Sequence, residues 1–397
     1  MSEQVVSPRI RGFIATNAHP DGCAENVRRQ AEVARTLEGT TNRYHNVLVI
    51  GSSTGYGLAS LLSASVGLGA NVLGVCFERE STEDRTGSAG WYNLAEAHRL
   101  AREEGRLLRT INGDAFSHAV KGQAIAALQA EFGPLDLIVY SLAAPRRQDA
   151  DSDTVWSSVL KPIGAPYAGK TIDLRNDAVV ETTIDAATDE EIEATVKVMG
   201  GEDWAAWVRA LADAGLLAAG CRTVAYSYIG PEVTYPIYRS GTIGTAKEHL
   251  EATAASLDTL LSARCGGAAW VSINKAVVTQ ASAAIPAVAL YMSIAFKLMK
   301  QRGTHEGTIE QIVRLFRDRL NLETPPVDEK SRIRLDDWEM QPDLQAEIAG
   351  IWEAITTDTL TEVSDYAGYK RDFEQLFGFS VPGVDYAAPT EVHRALE

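Results

Sequence analysis

The string GSSTGYG sets Gly51, Gly55 and Gly57 directly after the apolar run NVLVI at 46–50 and directly before the apolar stretch LASLLSASVG. That order reads as a buried strand, a glycine turn and a helix. Glycine lets backbone approach an anion closely, and the first N–H groups of the helix carry partial positive charge. Any tight turn would also tolerate glycine, so the neighbouring segments decide its meaning. ANVLGVCFE reads as a second strand and GWYNLAEAHRLAREEG as a helix ending at Gly105. RLLRTING, SHAVKGQAIAALQAEFG and PLDLIVYSLAAP continue as strand, helix and strand, with Gly133 closing the helix. Strands alternating with helices in units of about 30 residues predict an α/β fold built on a doubly wound parallel sheet.

The rhythm breaks after Ala144. Residues 145–200 hold few periodic stretches, and 177–203 carry nine carboxylates against one lysine. This segment reads as an insertion with a solvated acidic face. Alternation then resumes: GEDWAAWVRALADAGLLAAG is a helix, CRTVAYSYIG a fifth strand, TAKEHLEATAASLDTLLSA a long helix and GAAWVSINKAVV a sixth strand. Residues 305–397 read as a C-terminal extension. The expectation is one enlarged domain over 1–397, of the Rossmann type. Its net charge of −16 disfavours nucleic acid and anionic lipid. Cys23, Cys76, Cys221 and Cys265 are scattered without metal-ligand spacing, so no metal is expected. The uncharged stretch 276–296 is long enough to span a bilayer, but it contains Thr279, Gln280, Ser282, Pro286 and Ser293. It reads instead as a buried helix or pocket wall within about 276–300. The N-terminus lacks the apolar core of a signal peptide, which points to the cytoplasm.

The spacing Gly51-x-x-x-Gly55-x-Gly57 is that of short-chain dehydrogenases. In this context it predicts that residues Gly51, Ser52, Ser53, Thr54, Gly55, Tyr56 and Gly57 wrap a dinucleotide pyrophosphate. Phe77 and Glu78 end the second strand, Glu78 lying 21 residues beyond Gly57. A carboxylate there accepts from adenosine ribose hydroxyls and repels a 2′-phosphate, which predicts NADH over NADPH. The string ERESTEDR offers other acids and Arg79 a cation for such a phosphate. Asp114 and Ala115 after the third strand are expected at the adenine. Ser141, Leu142 and Ala143 after the fourth are expected on the nicotinamide side.

Tyr238 and Lys247 supply the chemistry of a hydride reductase. A phenol donates to an oxyanion as it develops, and a nearby ammonium holds the nicotinamide ribose and lowers the phenol pKa. The two are nine residues apart, half a turn out of phase at about 100° per residue. One straight helix would point them in opposite directions. Tyr238 is therefore expected on a turn before the helix that carries Lys247, with Ser240 or Thr242 as its cap and Gly241 in backbone angles other residues avoid. Tyr366 and Lys370 also match Tyr-x-x-x-Lys, but they fall beyond the expected strand order and read as a helix-face contact.

Tyr-x8-Lys together with GSSTGYG, FERE, GWYN, INGDAFS, YSLAAPRR, MGGEDW, YSYIG, GTIGTAK, KAVVTQASAAIP, GTHEG and FGFSVPGVDY resembles the trans-2-enoyl-CoA reductases. That family includes the V-type enoyl-acyl-carrier-protein reductases. The resemblance runs from about Arg9 to Tyr386. It implies a monomer that uses NADH to reduce the C2–C3 double bond of an enoyl-CoA or enoyl-acyl-carrier-protein thioester, the last step of the fatty acid elongation cycle. It also implies that Tyr238 is the proton donor, Lys247 a cofactor-binding lysine and Tyr228 a substrate-binding tyrosine, with Ala276, Val277 and Val278 as further cofactor contacts. Arg146 and Arg147 are candidates for the phosphates of the carrier.

Two other readings compete. A ketone or alcohol dehydrogenase of the same superfamily wants a serine about thirteen residues before the tyrosine; Ala225 stands there. A regulator that senses NAD without turnover has no need to keep both Tyr238 and Lys247.

Overall fold

The computed structural model describes residues 3–12, 14–40, 42–83, 85–285 and 287–396. Its centre is a seven-stranded sheet. In chain order the strands are β1 (Asn46–Ile50), β2 (Asn71–Cys76), β3 (Leu108–Asn112), β4 (Leu135–Tyr140), β5 (Leu217–Ser227), β6 (Ala268–Ile273) and β7 (Ile333–Arg334). In space they run β7-β6-β5-β4-β1-β2-β3, and every neighbouring pair is parallel. The first six are the strands read from the sequence. The two-residue β7 is too short for a periodic signal. It forms because Ile333 and Arg334 pair with Ser272 and Ile273.

Strand periodicity sorts the apolar side chains into two cores. Val47, Val49, Leu137 and Val139 face one side, packed with α1 (Pro20–Ala34), α2 (Gly55–Leu62), α3 (Ala89–Glu103) and, later in the chain, Thr308–Leu315. Leu48, Ile50, Ile138 and Tyr140 face the other, against α4 (His118–Ala127), with Glu202–Asp213 and Thr242–Cys265. Burial on both faces explains why NVLVI and LDLIVY are almost continuously apolar.

The segment 145–200 is more ordered than its composition predicts. It contains a short hairpin, Arg146–Gln148 with Val155–Ser157, and a longer one, Tyr167–Asp173 with Ala178–Ile184. Then comes α5 (Asp189–Met199), whose Thr188 and Glu191 form a reciprocal capping box. The two helices after it are α6 (Glu202–Asp213) and α7 (Thr242–Cys265). Next, α8 (Val288–Arg302) is buried nearly all round from Val288 to Met299. It belongs to a third core with α10 (Pro342–Ala354) and α12 (Tyr366–Gln375). Between them in the chain lie α9 (Thr308–Leu315) and the short α11 (Leu360–Val363). Among the described residues no helix is long and apolar enough to cross a membrane. Tyr366 and Lys370 both bind Asp177, at 2.7 and 3.0 Å, in a contact on the face of α12.

The two ends of the chain meet. Glu3–Gln4 pairs with Thr390–Glu391. Trp91 Nε1 and Tyr92 Oη donate to the carbonyls of Arg394 and Val392 at 2.7 and 2.9 Å, fastening the C-terminal segment over α3.

Candidate active site

The order of strands reverses at β1, which has β2 on one side and β4 on the other; ligands bind at such a point, beyond the carboxyl ends of the strands. The glycine turn occupies this position. Gly51 has φ +87°, and a Cβ there would lie 2.4 Å from the Ser141 carbonyl oxygen. A Cβ on Gly57 would lie 1.8 Å from the Gly51 oxygen, so both positions exclude any side chain. Gly55 has φ +53° and opens α2, whose N-cap, Thr54, makes no side-chain capping bond. The first N–H groups of α2 are left for an anion. Tyr56 Oη donates to the Lys275 carbonyl at 2.7 Å and fixes the turn to the end of β6. Residues 276–279 then pass over it, with Thr279 Cγ2 3.5 Å from where a Gly55 Cβ would stand. Ala276, Val277 and Val278 are buried there.

At the end of β2, Phe77 is 79% exposed, an apolar ring left open at the mouth of the site. Both carboxylate oxygens of Glu78 are engaged: Ser53 Oγ donates to Oε1 at 2.6 Å and Ser88 Oγ to Oε2. Asn112 grips the backbone of Glu78 from both sides. Its Oδ1 accepts from the Glu78 N–H at 2.7 Å and its Nδ2 donates to the Glu78 carbonyl at 2.8 Å. The loop holding Asp114 and Ala115 is ordered from below. Buried Lys121 donates to the carbonyls of Ala115 and Phe116, at 3.0 and 2.8 Å, and to Asp203 Oδ1 at 2.7 Å. Tyr140 Oη and Trp207 Nε1 complete that network on Asp203 and Ala115. On the β4 side Leu142 is half-buried beside Gly51 and Ala143 is exposed.

Tyr238 lies in the turn after Glu232–Thr234, with its N–H on the Thr234 carbonyl at 3.0 Å. The helix carrying Lys247 starts at Thr242. The break between them has a different cause from the one expected. Gly241 is the N-cap, with an ordinary φ of −104°, and neither Ser240 nor Thr242 caps the helix. Glycine is needed because a Cβ would meet the Lys161 carbonyl oxygen at 2.7 Å, while Thr242 Oγ1 donates sideways to the Val159 carbonyl at 2.5 Å.

Tyr238 is 5% exposed, and its hydroxyl has no hydrogen-bond partner among the described residues. Burial raises its pKa, so it stays a neutral phenol. The expected lowering by Lys247 is absent: the Lys247 ammonium, itself brought down to about 8 by burial, donates to the Tyr226 carbonyl at 3.3 Å. Tyr228, just past the end of β5, donates instead to Glu339 Oε1 at 3.0 Å. Glu339, in the turn after β7, also accepts from Tyr291 Oη at 2.7 Å and from the Ala276 N–H at 2.9 Å. Sequence reasoning assigned no role to Glu339, Asn112 or the Lys121–Asp203 pair; Asn112 lies within INGDAFS and Asp203 within MGGEDW, but nothing in those strings shows what either side chain touches. Arg147, a candidate for the carrier phosphates, is buried rather than exposed; it donates to the Lys197 carbonyl at 2.8 Å and pairs with Glu202. Arg146 is exposed.

A glycine turn at the switch point, an acid after β2 and a tyrosine–lysine pair beyond β5 define a dinucleotide-dependent reductase. The chain belongs to the trans-2-enoyl-CoA reductase family, and its cofactor is NADH. Family models match residues 5–83 as the "NAD(P)H binding domain of trans-2-enoyl-CoA reductase" and 85–321 as the "Trans-2-enoyl-CoA reductase catalytic region". The enoyl-[acyl-carrier-protein] reductase [NADH] of Flavobacterium johnsoniae is 51% identical, covering 97% of both chains. The protein of the same description from Opitutus terrae is 51% identical over 98% of this chain and 99% of its own. The structure of Clostridium acetobutulicum trans-2-enoyl-CoA reductase in complex with NADH superposes with a TM-score of 0.96 at 40% identity, covering 99% of this chain and 100% of the other. The Treponema denticola enzyme in complex with NAD gives 0.94 at 46% identity, with 98% of each chain covered.

A third family model, described as an "Enoyl reductase FAD binding domain", matches 327–390. These residues do not fit a flavin. Leu344, Ile348, Tyr369 and Phe373 are spent in the core around α8. Of the four glycines, Gly368 closes on Asp365 and Gly378 on Cys23 and the His19 carbonyl, Gly350 lies inside α10 with open space beside it, and Gly383 faces Arg29 at 4.0 Å. The described residues of the segment contain no strand, glycine turn and helix in succession.

Proposed function

We propose that Tyr238 is the hydrogen-bond donor to the thioester oxygen while the C2–C3 bond of an enoyl-CoA or enoyl-acyl-carrier-protein is reduced. One observation carries this reading: the Tyr238 hydroxyl is the free phenol of the tyrosine pair, while Tyr228 is held by Glu339. The 51–57 turn and the open end of α2 would hold the pyrophosphate of NADH. Phe77, Glu78, Asp114 and Ala115 would hold the adenosine, and Leu142, Ala143 and residues 276–278 would line the nicotinamide. Lys247 would hold its ribose. When bound, the nicotinamide supplies hydride to C3 of the substrate. Charge then moves to the thioester oxygen, and a preorganised neutral phenol in a buried site stabilises that oxyanion best. The enolate then takes one proton at C2, drawn ultimately from solvent, and the thioester carbonyl re-forms as the charge leaves its oxygen. The absence of a serine at Ala225 supports enoyl over carbonyl reduction.

The Tyr167–Asp173 hairpin strand and α8 are read as walls of the acyl site, supported by their shared apolar core with Val278 and Tyr228. We read the chain as one enlarged domain, because a single core joins Val27 near the N-terminus to Leu335 after β7. We infer further that the enzyme is monomeric, as the family resemblance suggests, and that it works in the cytoplasm. Oxidation of NADH dependent on crotonyl-CoA, repeated with crotonyl-acyl-carrier-protein and with ketones, tests the activity. Turnover of ketones alone, or binding of NADH without its consumption, overturns it. Sedimentation tests the oligomeric state.

A further inference from the structure

We propose that Glu339 is a positioning residue whose protonation state decides whether the Tyr228 O–H bond points at the substrate oxygen or away from it. The inference rests on the reading of Tyr228 as a substrate-facing tyrosine. Glu339 has no exposed surface. Its two oxygens receive three donors from three elements. Oε2 takes the Ala276 N–H after β6; Oε1 takes Tyr228 from the end of β5 and Tyr291 from α8.

A phenol has one proton. While Glu339 is ionised, both phenols donate to it, and Tyr228 presents only lone pairs toward Tyr238 and the reacting centre. Lone pairs repel the oxyanion that hydride transfer creates. When Glu339 carries a proton, the backbone N–H on Oε2 leaves Oε1 as the protonated oxygen. Tyr291 does not receive that proton, because Gln345 Nε2 already donates to its oxygen at 3.1 Å. The Glu339 proton goes to Tyr228 Oη, and the Tyr228 proton is freed for the thioester oxygen. The donors then run in one direction, from Gln345 through Tyr291, Glu339 and Tyr228 to the substrate.

The surroundings act on the carboxyl in both directions. Burial raises its pKa, and Lys275 opposes that rise. Lys275 is itself buried, which brings its pKa down to about 8, and its ammonium sits on the carbonyls of Ala276 and Glu306 at 2.8 and 3.0 Å, so its charge too is lost within the upper part of the assay range. Asp336, on the same turn, is paired with Arg334 and adds negative charge. Behind Lys275, Glu306 is neutralised by Arg314, and burial brings His305 down to about 3, so it stays neutral. The segment 276–278 follows Lys275 directly, so the same carboxyl anchors one of the walls assigned to the nicotinamide.

The test is kcat with saturating crotonyl-CoA and NADH from about pH 6 to about pH 9, for wild type, Glu339→Gln, Tyr228→Phe and the double variant. Glutamine keeps the acceptor for Ala276 and holds an N–H toward Tyr228 at every pH. The ratio of kcat in Glu339→Gln to wild type is expected to rise about tenfold across the range, and to stay constant in the Tyr228→Phe background. A ratio that does not change with pH, or that changes equally without the Tyr228 hydroxyl, overturns the proposal. Should Glu339→Gln lack a cooperative thermal transition, the wild type and Tyr228→Phe suffice. Their kcat ratio must fall as pH rises, because ionised Glu339 has already disabled Tyr228; a constant ratio overturns the proposal. Losses at Lys247 are common to both and cancel. Wild-type kcat and KM in Tyr228→Phe at every pH would remove Tyr228 from the reaction, which is a failure of the underlying reading and is distinct from a flat ratio with an impaired Tyr228→Phe.

Discussion

The ring of Tyr228 meets that of Tyr238 edge-on, with centroids 5.2 Å apart and planes at 67°. The two rings are in contact, but their hydroxyls differ in what they touch. Tyr228 is bonded to Glu339, and Tyr238 is free to donate.

That asymmetry predicts the ranking of the two phenylalanine variants. Tyr238→Phe is expected to lower kcat by about 10²–10³-fold with little change in KM, because it removes a donor used most fully in the transition state. Tyr228→Phe is expected to lose about tenfold at neutral pH, since part of its population points at Glu339. Steady-state kinetics with crotonyl-CoA check this; a larger kcat loss at Tyr228 than at Tyr238 reverses the assignment.

Glu78 predicts the choice of cofactor. Its carboxylate is held by Ser53 and Ser88, and a Cβ on Gly90 would lie 2.1 Å from Oε1, so the group has little freedom to withdraw. A 2′-phosphate placed there meets a fixed negative charge. The expected kcat/KM with NADH exceeds that with NADPH by about 100-fold or more, roughly 2.7 kcal/mol. Glu78→Ser is expected to narrow the gap by at least about tenfold. Equal use of both cofactors by the wild type would show that Arg79 takes the phosphate.

Much of this was legible because it is local. The glycine turn, the first six strands and the displacement of Tyr238 from the Lys247 helix follow from spacing within short windows. The reasons at Gly241 were not legible, because the group that demands glycine is the Lys161 carbonyl, eighty residues away in the chain. Arg147 read as a surface cation because its partners, Lys197 and Glu202, lie on elements that only the fold brings to it. Glu339 was hidden for the same reason. Its donors come from positions 228, 276 and 291, and no period or motif links them to an acid in the string DDWEM. The hairpins of 145–200 escaped notice because both of their faces are partly solvated, which blurs the alternation that marks a strand.

Lys247 predicts a pH dependence of cofactor binding. Burial brings its pKa from 10.5 to about 8 in the free enzyme. An unfolded lysine stays charged up to its ordinary pKa, so this burial opposes folding below about pH 8, and the penalty is relieved as pH rises from there toward 10.5. Binding runs the other way, because the anionic cofactor favours the ammonium. NADH is expected to bind with proton uptake just above pH 8, and its KM to rise as pH increases through that region. Calorimetry in buffers of different ionisation enthalpy detects the uptake. Lys247→Met should bind NADH more weakly and take up no proton; uptake that persists in this variant assigns the titration to another group.

The Lys121–Asp203 pair predicts how stability and cofactor binding are joined. Lys121 and Asp203 are 6% and 3% exposed, and the same ammonium that neutralises Asp203 holds the carbonyls of Ala115 and Phe116. Lys121→Met has nearly the same shape but leaves Asp203 a buried carboxylate with only Tyr140 as donor among the described residues. Removing one partner of a buried pair costs about 3–5 kcal/mol, which denaturant unfolding at neutral pH would register. Burial already raises the Asp203 pKa, and loss of Lys121 raises it further. A carboxyl with a raised folded pKa binds a proton that the unfolded chain releases, so its penalty grows as pH rises from the unfolded value and shrinks as pH falls. The deficit of Lys121→Met is therefore expected to narrow toward acid pH. The loosened Asp114–Ala115 loop should raise the KM for NADH while leaving kcat at saturating cofactor within about twofold. A deficit independent of pH, or an unchanged KM for NADH, would separate this network from the adenosine site.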